Sequence, residues 1–184
     1  MQDSTRSRLD AAGLVLLLLW AGMAAGFGML SVPLLFKLIP SRDLAGQVAG
    51  AIVVRLDWAA WAAFGGAFLL VYLPRWLAEV QEAEAVGPLR LWTAGALAAL
   101  LICLASSFII TPRIQEIRAS LPGPVESLAP QHPLRAAHAK AHRFSTQFFL
   151  LRLVLALGLA AGIPFLPGLA AAGTREDAAA RDGA

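Results

Sequence analysis

One cysteine and three histidines in 184 residues leave little material for side-chain chemistry. The lone thiol, Cys103, lies inside an apolar run; it cannot close an intrachain disulfide and has no second cysteine for a CxxC pair. Charge is scarce too. Asp, Glu, Lys and Arg make up 15% of the chain, against about a quarter in an ordinary soluble domain. No HExxH, GxSxG, glycine-rich phosphate loop or nucleophile triad occurs, so no enzyme class is indicated and none is expected. A net charge of +3 and a pI near 9.8 raise the question of nucleic acid. The basic residues are scattered between apolar blocks and form no stripe, which argues against it.

What is abundant is apolar sequence: 58% of residues, with a mean hydropathy of +0.67. A helix needs about 20 largely apolar residues to cross a bilayer, and four stretches meet that need: about 11–38, 51–73, 89–111 and 144–163. The expected fold is therefore all-α, a polytopic membrane protein with four transmembrane helices in a bundle and both termini on one side. A short tail (1–10) precedes the helices, an extramembrane piece (112–143) separates the last two, and a tail (164–184) follows. Ser41, after Pro40, is placed to cap the second helix. Arg6 and Arg8 ahead of an apolar core, with small residues in "MAAG", share features with a cleaved signal peptide. Apolar sequence continues to Phe36, longer than such a peptide needs, and a retained helix is expected.

The side holding the termini, side A, carries an acidic loop with Glu79, Glu82 and Glu84; side B carries the 112–143 piece. Arg6, Arg8, Arg75, Arg90, Arg175 and Arg181 on side A are matched by Arg42, Arg113, Arg118, Arg135, Lys140 and Arg143 on side B. Lys37 and Arg55 at the membrane boundary tilt the count toward a cytoplasmic side B. Glycine pairs at four-residue spacing (Gly22 and Gly26, Gly46 and Gly50, Gly158 and Gly162) suggest close helix contacts. Trp58, Trp76 and Trp92 sit where interfacial anchors belong, and Trp20 falls nearer the middle, where packing is its expected role.

The candidate site starts from "FFLLRLVLALG", where Arg152 stands about eight residues into the fourth crossing. A charge at that depth costs a few kcal/mol and normally faces the bundle interior. Helical side chains lean toward the helix N-terminus, so its guanidinium should reach toward side B, where Asp57 enters the second crossing two residues after Arg55. An Arg152 to Asp57 pair follows if those helices meet. It is either an ion pair that fixes helix register or a device for moving a proton, an ion or an anionic substrate. Steps of three and four residues back from Arg152 give Phe149, Ser145, His142 and His138 on one face. "HAKAH" puts His138 and His142 where they can share a metal ion, with His132, Glu126, Glu116 or Asp57 as distant further ligands. Pro33 and Pro112 mark kinks near the ends of the first and third crossings.

The stretches "VPLLFK", "AGQVAGAIVVRLD", "ITPRIQEIR" and "HRFSTQFFLLRLVLALG" together resemble the small four-helix membrane proteins known as domain of unknown function 4149, or the transmembrane protein 205-like family. The resemblance implies a four-helix integral membrane fold and supplies no reaction; the expected location is a bacterial plasma (inner) membrane, crossed several times. It picks out Pro33 with Phe36, and His142 with Ser145. Where that family often carries asparagine, this chain has Phe149, which departs from a fully polar face. The first functional expectation is a small transport-related or partner-binding membrane subunit, holding no cofactor, in contact with the lipid bilayer and with a second copy or a membrane partner. The alternative is a haem- or metal-binding redox protein using His138 and His142. A lipid-modifying enzyme with His142 as base stands third, because no nucleophile accompanies it.

Overall fold

The computed structural model describes residues 2–81 and 88–166. Four helices are long and apolar enough to cross a membrane, and no strand occurs among the described residues. The first helix (2–38) runs as α-helix through Gln2–Gly26, widens into a π turn at Phe27–Ser31 and ends as Val32–Leu38. The second (42–81) comprises Arg42–Ala67, a π turn at Phe68–Tyr72 and Leu73–Gln81. The third (88–119) comprises Pro88–Ala105, a π turn at Ser106–Ile110 and Thr111–Ala119. The fourth, Pro133–Gly162, closes in a 3-10 turn at Ile163–Phe165.

Proline explains the three wide turns. Each π turn ends two residues before a proline, Pro33, Pro74 or Pro112. A proline in a helix offers no N–H, and its ring crowds the carbonyl four residues back. In each case the residue just before the proline donates five residues back instead: Val32 to Phe27, Leu73 to Phe68, Thr111 to Ser106. The extra residue in the turn relieves the crowding while keeping backbone groups paired, as a lipid environment demands. Pro33 and Pro112 were legible as kink sites; Pro74 does the same on side A.

The helices run beyond the limits that hydropathy sets. The stretch expected as an N-terminal tail is helical from Gln2, and the second helix begins nine residues early at Arg42, where Ser41 Oγ accepts from the Leu44 N–H at 3.2 Å. Much of the 112–143 piece is helix as well. It continues the third helix to Ala119 and begins the fourth at Pro133, leaving a short turn of which Val125–Ser127 is 3-10. Hydropathy detects where lipid begins, and a helix supported by its neighbours does not stop there. The acidic loop on side A lies largely outside the described residues, as does the C-terminal tail beyond residue 166.

Each helix packs against the next, and the fourth returns to the first. The core between them joins Leu17, Trp20 and Ala24 of the first helix to Ala60, Phe64 and Val71 of the second, Ala96, Ala99 and Cys103 of the third, and Ala156, Leu159 and Ile163 of the fourth. Half of these are small, which brings the backbones close. Two links cross the diagonal between the second and fourth helices. Tyr72 donates its hydroxyl to the Leu159 carbonyl at 2.9 Å, and the other is the Arg152 pair described below. At side A, Arg75 binds Asp10 at 2.7 Å and the Val71 carbonyl at 2.9 Å. Asp10 belongs to the stretch expected to be a tail, and Arg75 to the loop basic residues.

Within the chain the glycine pairs do not act as pairs. A Cβ on Gly162 would lie 2.4 Å from the Trp92 ring, and one on Gly13 2.4 Å from Val71, so these two backbones are approached closely. Gly22, Gly26, Gly50 and Gly158 meet nothing within 4 Å. Gly162→Ala is therefore expected to cost about 1–3 kcal/mol through displacement of a rigid indole. Gly22→Ala should be neutral or stabilise by up to about 1 kcal/mol. Reversible unfolding in mixed micelles checks both; equal effects would refute the assignment of Gly162 as a close approach.

Candidate functional site

Positions 152, 156, 159, 160 and 163 of the fourth helix are buried, and so are 56, 57, 60, 63, 64 and 67 of the second. Those spacings trace one inward stripe on each helix. Arg152 and Asp57 stand in these stripes among small and aromatic side chains, so both charges meet on the bundle axis. Arg152 Nη1 donates to Asp57 Oδ1 at 2.6 Å, and the residues are 1% and 4% exposed. The third helix completes the ring: Thr111 Oγ1 donates to Asp57 Oδ2 at 3.4 Å, and the fully buried Cys103 lies close enough to feel the guanidinium charge.

Aromatic side chains occupy the faces that carboxylate leaves. The guanidinium carbon stands 5.8 Å from the Trp20 ring centre and 5.9 Å from that of Phe149. Trp20 is itself tied down, its indole N–H donating to the Leu56 carbonyl at 2.9 Å, with Phe64 packed on its ring at 5.3 Å. Phe27 meets Phe149 edge-on at 6.4 Å. Trp20 and Phe149 thus flank the guanidinium, and Phe27 backs Phe149. Arg152 Nε, buried, has no partner.

Magnitudes restrict what this arrangement does. Withdrawing two charges from water costs several kcal/mol per ion even after relaxation. A hydrogen-bonded pair repays much of it, and two desolvated ring faces add about 2 kcal/mol each. The sum is near balance, so an apolar pair of equal volume would serve stability as well. What an apolar pair would lack is the requirement that the second and fourth helices meet at one register.

The other residues singled out in the sequence do not gather around this centre. Ser145 and His138 are half-buried, and His142 is exposed. Arg55 is exposed and folds back to the Ala51 carbonyl at 3.0 Å, as a snorkelling residue does. The rings of His138 and His142 are parallel, 6.3 Å apart. Three of the four expected further ligands are engaged elsewhere: Asp57 by Arg152, Glu116 by Arg113, and His132 by its own helix, where Nδ1 accepts from the Leu134 N–H. Among the described residues no three His, Cys, Asp or Glu side chains come together. Trp20, Phe27, Thr111 and Cys103 were not read as part of the site. For Thr111 the signal was available, since it closes the third crossing at a depth comparable to Asp57.

Four lipid-length helices arranged around a buried ion pair define an integral membrane bundle protein. More narrowly, residues 15–121 match the family described as Domain of unknown function (DUF4149), and the chain belongs to that family. The match contains Trp20 and Asp57 and ends before the fourth helix, so Arg152, His142 and Ser145 lie outside it. No curated protein and no solved structure matches the chain.

Proposed function

We propose that the chain is a non-enzymatic subunit of a bacterial plasma membrane, acting through lateral contact with a second membrane helix and not as a self-contained conduit. The observation that carries this reading is the closure of the one intramembrane charge pair among the described residues. Arg152 is 1% exposed and packs against the rings of Trp20 and Phe149, which supports a closed centre. Gly22 and Gly26, one helical turn apart and facing nothing within the chain, support a lateral contact, because small residues at that spacing let a partner helix approach.

Proteoliposomes of the purified protein should pass no proton, potassium or chloride current above that of empty vesicles. With Cys103→Ser removing the native thiol, Gly22→Cys should cross-link to a second membrane chain under mild oxidation. A current that Arg152→Gln abolishes would overturn the proposal in favour of transport. Stoichiometric metal, or a visible absorbance band lost in His138→Ala, would overturn it in favour of the redox reading.

A further inference from the structure

On side B, the end of the first helix and the start of the second part to leave an apolar groove of about 440 Å³, lined by Ser31, Leu34, Leu35, Leu38, Ile39 and Ile52. Ser31, Leu34, Leu35 and Leu38 recur at three- and four-residue steps and so form one face of the helix beyond its π turn. Leu34 and Leu38 are 52% and 72% exposed. In water such a face would be costly, and in a four-span membrane protein it meets hydrocarbon.

Three cations lie close to the lining residues in sequence. Lys37 lies between two of the lining positions, and Arg42 follows Ile39 by three residues at the first turn of the second helix. Both are exposed, and neither has an ion-pair partner among the described residues. Arg55, three residues past Ile52, bends its guanidinium back to the carbonyl of Ala51. An apolar cleft with exposed Lys37 and Arg42 a few residues from its lining is complementary to an acyl chain joined to a phosphate.

We infer that the groove holds one anionic phospholipid of the side B leaflet, its acyl chain against Leu34, Leu35, Leu38 and Ile52 and its phosphate between Lys37 and Arg42. Neither residue belongs to the buried pair, and the inference stands independently of the proposed lateral contact.

Native mass spectrometry of the full chain, released from micelles containing equal phosphatidylglycerol and phosphatidylcholine, tests it. The expected result is one retained phosphatidylglycerol per chain, in preference to phosphatidylcholine. Lys37→Gln and Arg42→Gln should each weaken that preference about fivefold, with unchanged circular dichroism. Leu35→Trp, which fills the cleft, should reduce retention of both lipids. Equal retention of the two lipids by the unaltered chain would overturn the assignment, as would undiminished preference in a folded Lys37→Gln, Arg42→Gln double variant. Displacement of the bound species by inorganic phosphate would show a simple anion site, and a lipid-free dimer mass would show a second copy on this face. Either result would also overturn it.

Discussion

Arg152→Ala is expected to lower stability by about 3–5 kcal/mol, because it leaves the Asp57 carboxylate buried with no cation. Its remaining donor is Thr111 at 3.4 Å, a long contact that cannot carry a full charge. Asp57→Leu should do comparable harm from the other side, stranding the guanidinium among Trp20, Phe149 and Cys103. The double variant Arg152→Met, Asp57→Leu is expected to return to within about 1 kcal/mol of the starting protein, since it removes both desolvation costs and keeps the volume. Reversible unfolding in mixed micelles measures all three. A harmless Arg152→Ala would mean that water or lipid headgroups reach Asp57. A double variant as unstable as the singles would mean that the bundle needs the ions for more than their mutual neutralisation. If the double variant regains stability and also the Gly22→Cys cross-link, the pair is a register lock; if stability returns without the cross-link, the charges have a further role.

Trp20→Ala carries the second large effect, about 3–5 kcal/mol, from the cavity left by a side chain that is 1% exposed. Trp20→Phe separates the contributions: it keeps most of the ring over the guanidinium and loses the N–H to the Leu56 carbonyl, for about 1 kcal/mol. Because Trp20 touches Arg152, Phe64 and Phe149, its truncation should combine non-additively with Arg152→Ala. Additive losses in the same unfolding measurement would mean that the indole and the guanidinium stabilise the bundle separately, contrary to the cation–π geometry.

The four crossings and the inward position of Arg152 were legible because lipid imposes rules stricter than those of water: length, apolarity and the cost of an unpaired charge. Asp57 was legible as a partner because two opposite charges that enter the membrane from the same side have few other destinations. The helix ends were less legible, since nothing in hydropathy distinguishes a polar turn of helix from a loop. For that reason Asp10 was taken as tail, and its pairing with Arg75 was missed. Glycine spacing misled for a different reason. Four-residue repeats are frequent in a chain with 16 glycines, and what selects Gly162 is the tryptophan across from it, which no local pattern contains. Phe149 was the one sign in sequence that the polar face stops short, and its rings-on-rings contact with Trp20 and Phe27 is the physical form of that stop.

The wide turns before Pro33, Pro74 and Pro112 also give the chain slack in length. Each takes up one residue more than an ordinary helical turn, so every side chain beyond it occupies the angular slot that the preceding position would hold in an unbroken helix, a rotation of about 100°. Thr111 reaches Asp57 only because Ser106–Ile110 absorbs that surplus. A relative one residue shorter within that stretch, and lacking the proline, would present the same inward face from there to Ala119.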